Sequence, residues 1–136
     1  MTVDWDNVQY FSESEFKCKC DACQGSNEPV PMDPLFIQFL DGARHKLGWP
    51  FIINSGYRCS EHNEAVSGSG TDGPHTTGKA ADIRVADGRQ AYELVREAVA
   101  EGLRFGLNRK SNGQGFVHVD SLKEKDGFTS DVAWSY

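Results

Sequence analysis

Two stretches of helical spacing, 33–47 and 88–102, constrain this chain most, because everything around them is short. In the first, Asp33 stands at a cap position and Pro34 at the first helical position. Leu35, Phe36, Phe39, Leu40, Ala43 and Leu47 then recur on one face, and Gly48 and Pro50 stop the run. In the second, Ala91, Leu94, Val95 and Ala98 share a face. The runs 51–53, 80–85, 103–107 and 116–120 have strand length, and the last alternates around Val117 and Val119. Strands and helices do not follow a βαβ rhythm, and no glycine-rich phosphate loop follows a strand. The expected class is therefore α+β, a small antiparallel sheet flanked by helices, rather than a doubly wound sheet.

A length of 136 residues fits one domain, 1–136, with an N-terminal arm over about 1–32. In the arm, Ser12 and Glu15 have capping-box spacing, and Phe11 and Phe16 are expected to pack on the body. Ser60 is expected to cap a short helix over 60–66, with loops over 67–74 and 108–115. Val132-Ala133-Trp134 is expected to dock at the end. The net charge of −6 argues against a nucleic-acid partner, which needs a basic surface. No run approaches the roughly 18 apolar residues of a membrane span, so no membrane insertion is expected. The first residues have neither a basic nor an apolar leader segment, so the chain is expected to be made in the cytoplasm without a signal peptide.

The stretch His75-Thr76-Thr77-Gly78-Lys79-Ala80-Ala81-Asp82 holds a histidine and an aspartate seven positions apart, with Gly78 supplying a bend. Downstream, His118 lies in the strand-like run Phe116-Val117-His118-Val119-Asp120. A catalytic zinc takes three protein ligands and keeps a fourth position for water, and His75, Asp82 and His118 offer two imidazoles and a carboxylate. Such a metal lowers the pKa of its water to roughly 7 and polarises a carbonyl. Asp120, two residues beyond His118 on the same strand face, either reaches that water as general base or orients a ligand from behind. Arg58 has the planar fork that suits a substrate carboxylate or a developing oxyanion. Taken singly, Arg58 reads as a surface salt bridge and His118 as a half-buried strand histidine; the ordered combination argues against coincidence. His62 stays outside the ligand set.

The four cysteines are Cys18, Cys20, Cys23 and Cys59, three of them crowded as C-x-C-x-x-C. Free thiols in a reducing cytosol, two disulfides formed after release, and a structural zinc held by all four are each consistent with this count. The C-x-C spacing is tighter than structural zinc sites usually show, which weighs against the zinc.

Ser55-Gly56-Tyr57-Arg58 followed by His62-Asn63, then His75-x-x-Gly78-x-Ala80-x-Asp82-Ile83, then Phe116-Val117-His118-Val119-Asp120, resembles the M15 family of zinc D-Ala-D-Ala peptidases. The similarity is greatest to its small peptidoglycan-cleaving members, including phage endolysins and murein endopeptidases, and covers about residues 9–136. The resemblance implies the fold shared with the Hedgehog signalling domain, one zinc on His75, Asp82 and His118, and substrate contact by Arg58, with Tyr57 beside it. The chain departs from the family pattern twice. Many members carry a serine where this chain has Gly73, and a catalytic acid where it has Gly115. The second departure makes Asp120 the substitute base.

The function expected from these residues is hydrolysis of an amide bond in peptidoglycan stem peptides or cross-links by a monomer. The cellular setting expected is phage or prophage lysis, with the protein reaching the periplasmic wall through a holin. D,D-carboxypeptidase trimming of terminal D-Ala, or a non-catalytic zinc-stabilised binding module of a phage particle, are the alternatives.

Overall fold

The structure is a computed structural model that describes residues 2–68, 70–111 and 114–136. The expected loops over 67–74 and 108–115 therefore fall partly outside the described residues, at 69, 112 and 113.

Among the described residues, five strands form one sheet in the order first, second, fourth, third, fifth. They are β1 (Ile53–Ser55), β2 (Ala80–Val85), β3 (Arg104–Arg109), β4 (Gly115–Asp120) and β5 (Ala133–Ser135). The helices are α1 (Asp21–Gln24), α2 (Pro34–Leu47), α3 (Ser60–Val66) and α4 (Gly88–Ala100). The architecture is α+β, but the sheet is mixed. β2 pairs antiparallel with β1 and β4, and β3 with β4, whereas β5 runs parallel to β3. The register explains the exception. Asp120, the last residue of β4, lies opposite Arg104, the first of β3. The chain leaves β4 at that end, and β5 starts at the same end of β3's free edge, with Ala133 opposite Phe105, so the two run together.

Both long helices start and stop where their sequences dictate. Asp33 accepts a hydrogen bond from the Phe36 amide (3.0 Å), Pro34 opens α2, and Gly48 closes it with φ +78°. Asp87 caps α4 through the Gln90 amide at 2.9 Å. Phe36, Ile37, Leu40 and Ala43 of α2 and Ala91, Leu94 and Ala98 of α4 are buried, while Leu35 lies on the exposed side of α2. The short helix α3 is capped by Cys59, not Ser60: the Cys59 sulfur accepts from the His62 amide, and Ser60 is already helical. β1 also begins two residues later than its apolar run, since pairing starts at Ile53 opposite Ile83.

Strand alternation gives the sheet two different faces. Ala81, Ile83 and Val85 of β2 meet Val117 and Val119 of β4 on one face, in a single core with residues from α2 and α4. Phe11, Phe16 and Met32 belong to that core, so the N-terminal arm is packed into the body. The other face carries Asp82, His118, Asp120, Arg104, Gly106 and Trp134 in mutual register.

Candidate metal centre

Asp82 on β2 lies directly opposite His118 on β4, and Gly106 on β3 lies opposite His118 from the other side. His75 comes from outside the sheet, in a single 3-10 turn, Pro74–Thr77. Gly78 ends that turn with φ +78°, and its carbonyl accepts from the Asp33 amide at 2.8 Å. A Cβ at Gly78 would lie 2.0 Å from the Pro31 carbonyl oxygen, so both the backbone angle and the close approach require glycine.

These elements bring the three expected ligands together. His118 Nδ1 is 2.9 Å and His75 Nε2 is 3.3 Å from the same oxygen, Asp82 Oδ1. One ligand atom from each residue lies within 4.8 Å of the others, and all three residues are buried. The far side of each imidazole is fixed by an acceptor. His75 Nδ1 faces the Gly56 carbonyl oxygen at 2.8 Å, and His118 Nε2 faces Asp120 Oδ2 at 2.8 Å. Neither acceptor carries a proton, so each ring keeps an N–H there, and its other nitrogen, which lies at hydrogen-bond distance from Asp82, is the one that would turn a lone pair to a metal. Two imidazoles, each anchored from behind, and one carboxylate form a donor set that fits a zinc-type ion.

Burial alone would raise the Asp82 carboxyl pKa, but the hydrogen bonds from His118 and His75 outweigh it and hold it well below the usual range. Burial would lower His118, yet the bonds to Asp120 and Asp82 raise it above its ordinary value. Asp120 is likewise lowered against the effect of burial, by His118 and then by Arg104.

Asp120 does not face the converging ligand atoms. It sits behind His118, on the ring edge away from Asp82, and pairs with Arg104 through Nε–Oδ1 at 2.8 Å and Nη2–Oδ2 at 3.0 Å. The Leu122 amide also donates to Oδ1, at 3.2 Å. Of its two sequence readings, base or orienting partner, this geometry matches the second. Arg104 went unremarked in the sequence, since only the β3–β4 register puts it against Asp120. Gly115 also changes meaning. It lies opposite Val85 on the core-facing side of β4, and a Cβ there would lie 1.9 Å from the Asn108 carbonyl oxygen. A side chain at 115 in this register would not point at the ligands.

Arg58 does reach the site. Its Nε donates to Ser55 Oγ (3.1 Å), its Nη1 to Asn63 Oδ1 (3.2 Å), and its Nη2 lies 3.7 Å from Asp82 Oδ2. Its backbone amide donates to the His75 carbonyl at 3.0 Å, which ties the 55–58 segment to the histidine turn. Asn63, fully buried, is a second partner; the sequence placed it in the motif but gave it no role. Tyr57 points elsewhere, lining a cavity of about 290 Å³ with Cys18, Cys23, Cys59 and Val30. His62 joins neither metal-capable group among the described residues. From the far edge, Trp134 lays its ring 5.1 Å from that of His118. Gly106 makes this possible, because a Cβ there would lie 2.2 Å from Trp134 Nε1.

Comparison with curated proteins finds no match. A family model, Peptidase M15, matches residues 9–120, a span that contains every residue of the triad, its two supporting acceptors, and Arg58. With the match covering most of its length and this geometry beneath it, the chain belongs to the M15 peptidase family.

Proposed function

We propose that the protein is a zinc-dependent peptidase that hydrolyses an amide bond in peptidoglycan stem peptides or their cross-links. One observation carries the reading: His75, Asp82 and His118 converge with both imidazole tautomers fixed from behind. When bound, zinc supplies Lewis acidity toward the scissile carbonyl and acidifies a water. The chain's own residues do the rest. Asp120 and Arg104 keep the His118 proton on Nε2 and stop the ring from turning. Arg58, held by Ser55 and Asn63, presents its guanidinium beside Asp82, where it can meet a substrate carboxylate or the oxygen that gains charge. The absence of an acid at 115 does not favour a non-catalytic module, because that position faces the core.

Digesting purified sacculi and reading the fragments by mass spectrometry tests this. After a muramidase has cut the glycan of the treated sacculi, wild type should have changed the muropeptide pattern, and His118→Ala or chelator-treated protein should not; an equal change by His118→Ala would overturn the mechanism. Loss of cross-linked dimers marks an endopeptidase, which we favour, and loss of terminal D-Ala alone marks a carboxypeptidase. A phage or prophage lysis role predicts that co-expression with a holin lyses cells and that expression alone does not.

A further inference from the structure

We infer that the chain carries a second metal site, a tetrathiolate zinc held by Cys18, Cys20, Cys23 and Cys59. The Cys18, Cys20 and Cys59 sulfurs form a triangle with all three sides 3.7 Å. The Cys23 sulfur lies within 4.8 Å of each of them, and none of the four is in a disulfide. A tetrahedron with zinc–sulfur bonds of about 2.3 Å has sulfur–sulfur edges of about 3.8 Å. The triangle matches one face of that tetrahedron.

Two of the sulfurs accept backbone hydrogen bonds. The Cys59 amide donates to the Cys18 sulfur and the His62 amide to the Cys59 sulfur, each at 3.4 Å. Backbone donors aimed at sulfur stabilise its anionic form and fix its direction. The tight C-x-C spacing, which weighed against zinc in the sequence, is accommodated by a closed loop. Gln24 donates to the Cys18 carbonyl at 2.8 Å, and Lys17 Nζ donates to the carbonyls of Gln24 and Ser26. With Cys20 at the cap of α1 and Cys23 within it, the wrap brings three sulfurs together, and Cys59 adds the fourth from the cap of α3. A four-sulfur tetrahedral set selects zinc among the redox-inert metals.

The site's position gives it a structural task. It joins the arm to Cys59, the residue next to Arg58, and the same 55–59 segment supplies the Gly56 carbonyl that orients His75. The thiolate zinc thus braces the wall of the other metal centre without touching it. Nothing in this inference depends on the peptidase reading.

The test is metal content and cobalt spectroscopy on the full-length protein, purified under reducing conditions. Wild type should hold two zinc ions per chain. The double variant His75→Ala/His118→Ala should keep one, and its cobalt form should show the thiolate-to-cobalt charge-transfer absorption of a tetrahedral sulfur site. Cys20→Ser/Cys23→Ser should lose that band while still binding one ion at the histidines. The inference is overturned if the histidine variant retains no metal, if its cobalt form lacks the sulfur band, or if peptide mapping without reductant finds these cysteines paired. Because the histidine variant leaves all four sulfurs in place, the outcome does not depend on whether a cysteine variant folds.

Discussion

Each oxygen of Asp120 accepts two hydrogen bonds, Oδ1 from Arg104 Nε and the Leu122 amide, Oδ2 from Arg104 Nη2 and His118 Nε2. A carboxylate with its lone pairs so committed is a clamp rather than a proton acceptor for a neighbouring water. Asp120→Asn should therefore leave the Arg104 charge buried without its anion, a loss of about 3–5 kcal/mol measurable by urea unfolding of the metal-free protein. It should also weaken zinc binding about 10–100-fold in a competition titration, because the His118 tautomer is no longer enforced. Unchanged zinc affinity would remove the orienting role. Gly106→Ala tests the other side of the same ring. Its Cβ would displace the Trp134 indole, at a cost of about 1–3 kcal/mol and with a visible change in tryptophan fluorescence. The convergence of His75, Asp82 and His118 was readable from sequence because their types and order suggest one donor set. The role of Asp120 was not, since spacing on a strand gives the face a side chain occupies but not the edge of the ring it meets.

Among the elements, α2 and α4 were legible because caps, stops and apolar spacing agree along their whole length. The strands were legible as runs but not as a sheet. Register is set by long-range pairing, and register is what places Arg104 beside Asp120 and sends β5 parallel to β3. The offset of β1 has the same origin, since its apolar residues serve the core while its pairing begins at Ile53. The turn that delivers His75 rests on Gly78 more than on any side chain. Gly78→Ala should cost at least about 1–3 kcal/mol from the left-handed backbone alone, with further loss from the clash at Pro31. Thermal unfolding should show the drop, and metal affinity should fall with it; an unchanged melting temperature would mean the turn tolerates a side chain.

At the scale of the whole molecule, protons and a metal at the proposed site would compete for one cluster. Asp82 and Asp120 have lowered values in the folded state, so their contribution is present above the unfolded carboxylate pKa of about 3.9 and is lost as pH falls through the folded values. His118 has the opposite sign. Its raised value contributes below the unfolded pKa of about 6.5 and is lost as pH rises through the folded value. The metal-free protein should therefore be most stable between these limits. Because zinc must displace the His118 proton, zinc should raise the melting temperature more at about pH 8 than at about pH 6. Calorimetry with and without chelator checks both signs. The cysteine cluster was the feature least legible at this scale, as spacing alone does not show that the fold brings all four sulfurs together. The edge strand has a practical consequence. The family match ends at residue 120, yet β5, at Ala133–Ser135, carries the indole that lies against His118. A chain trimmed to the family boundary would uncover the β3 edge and one side of a ligand ring.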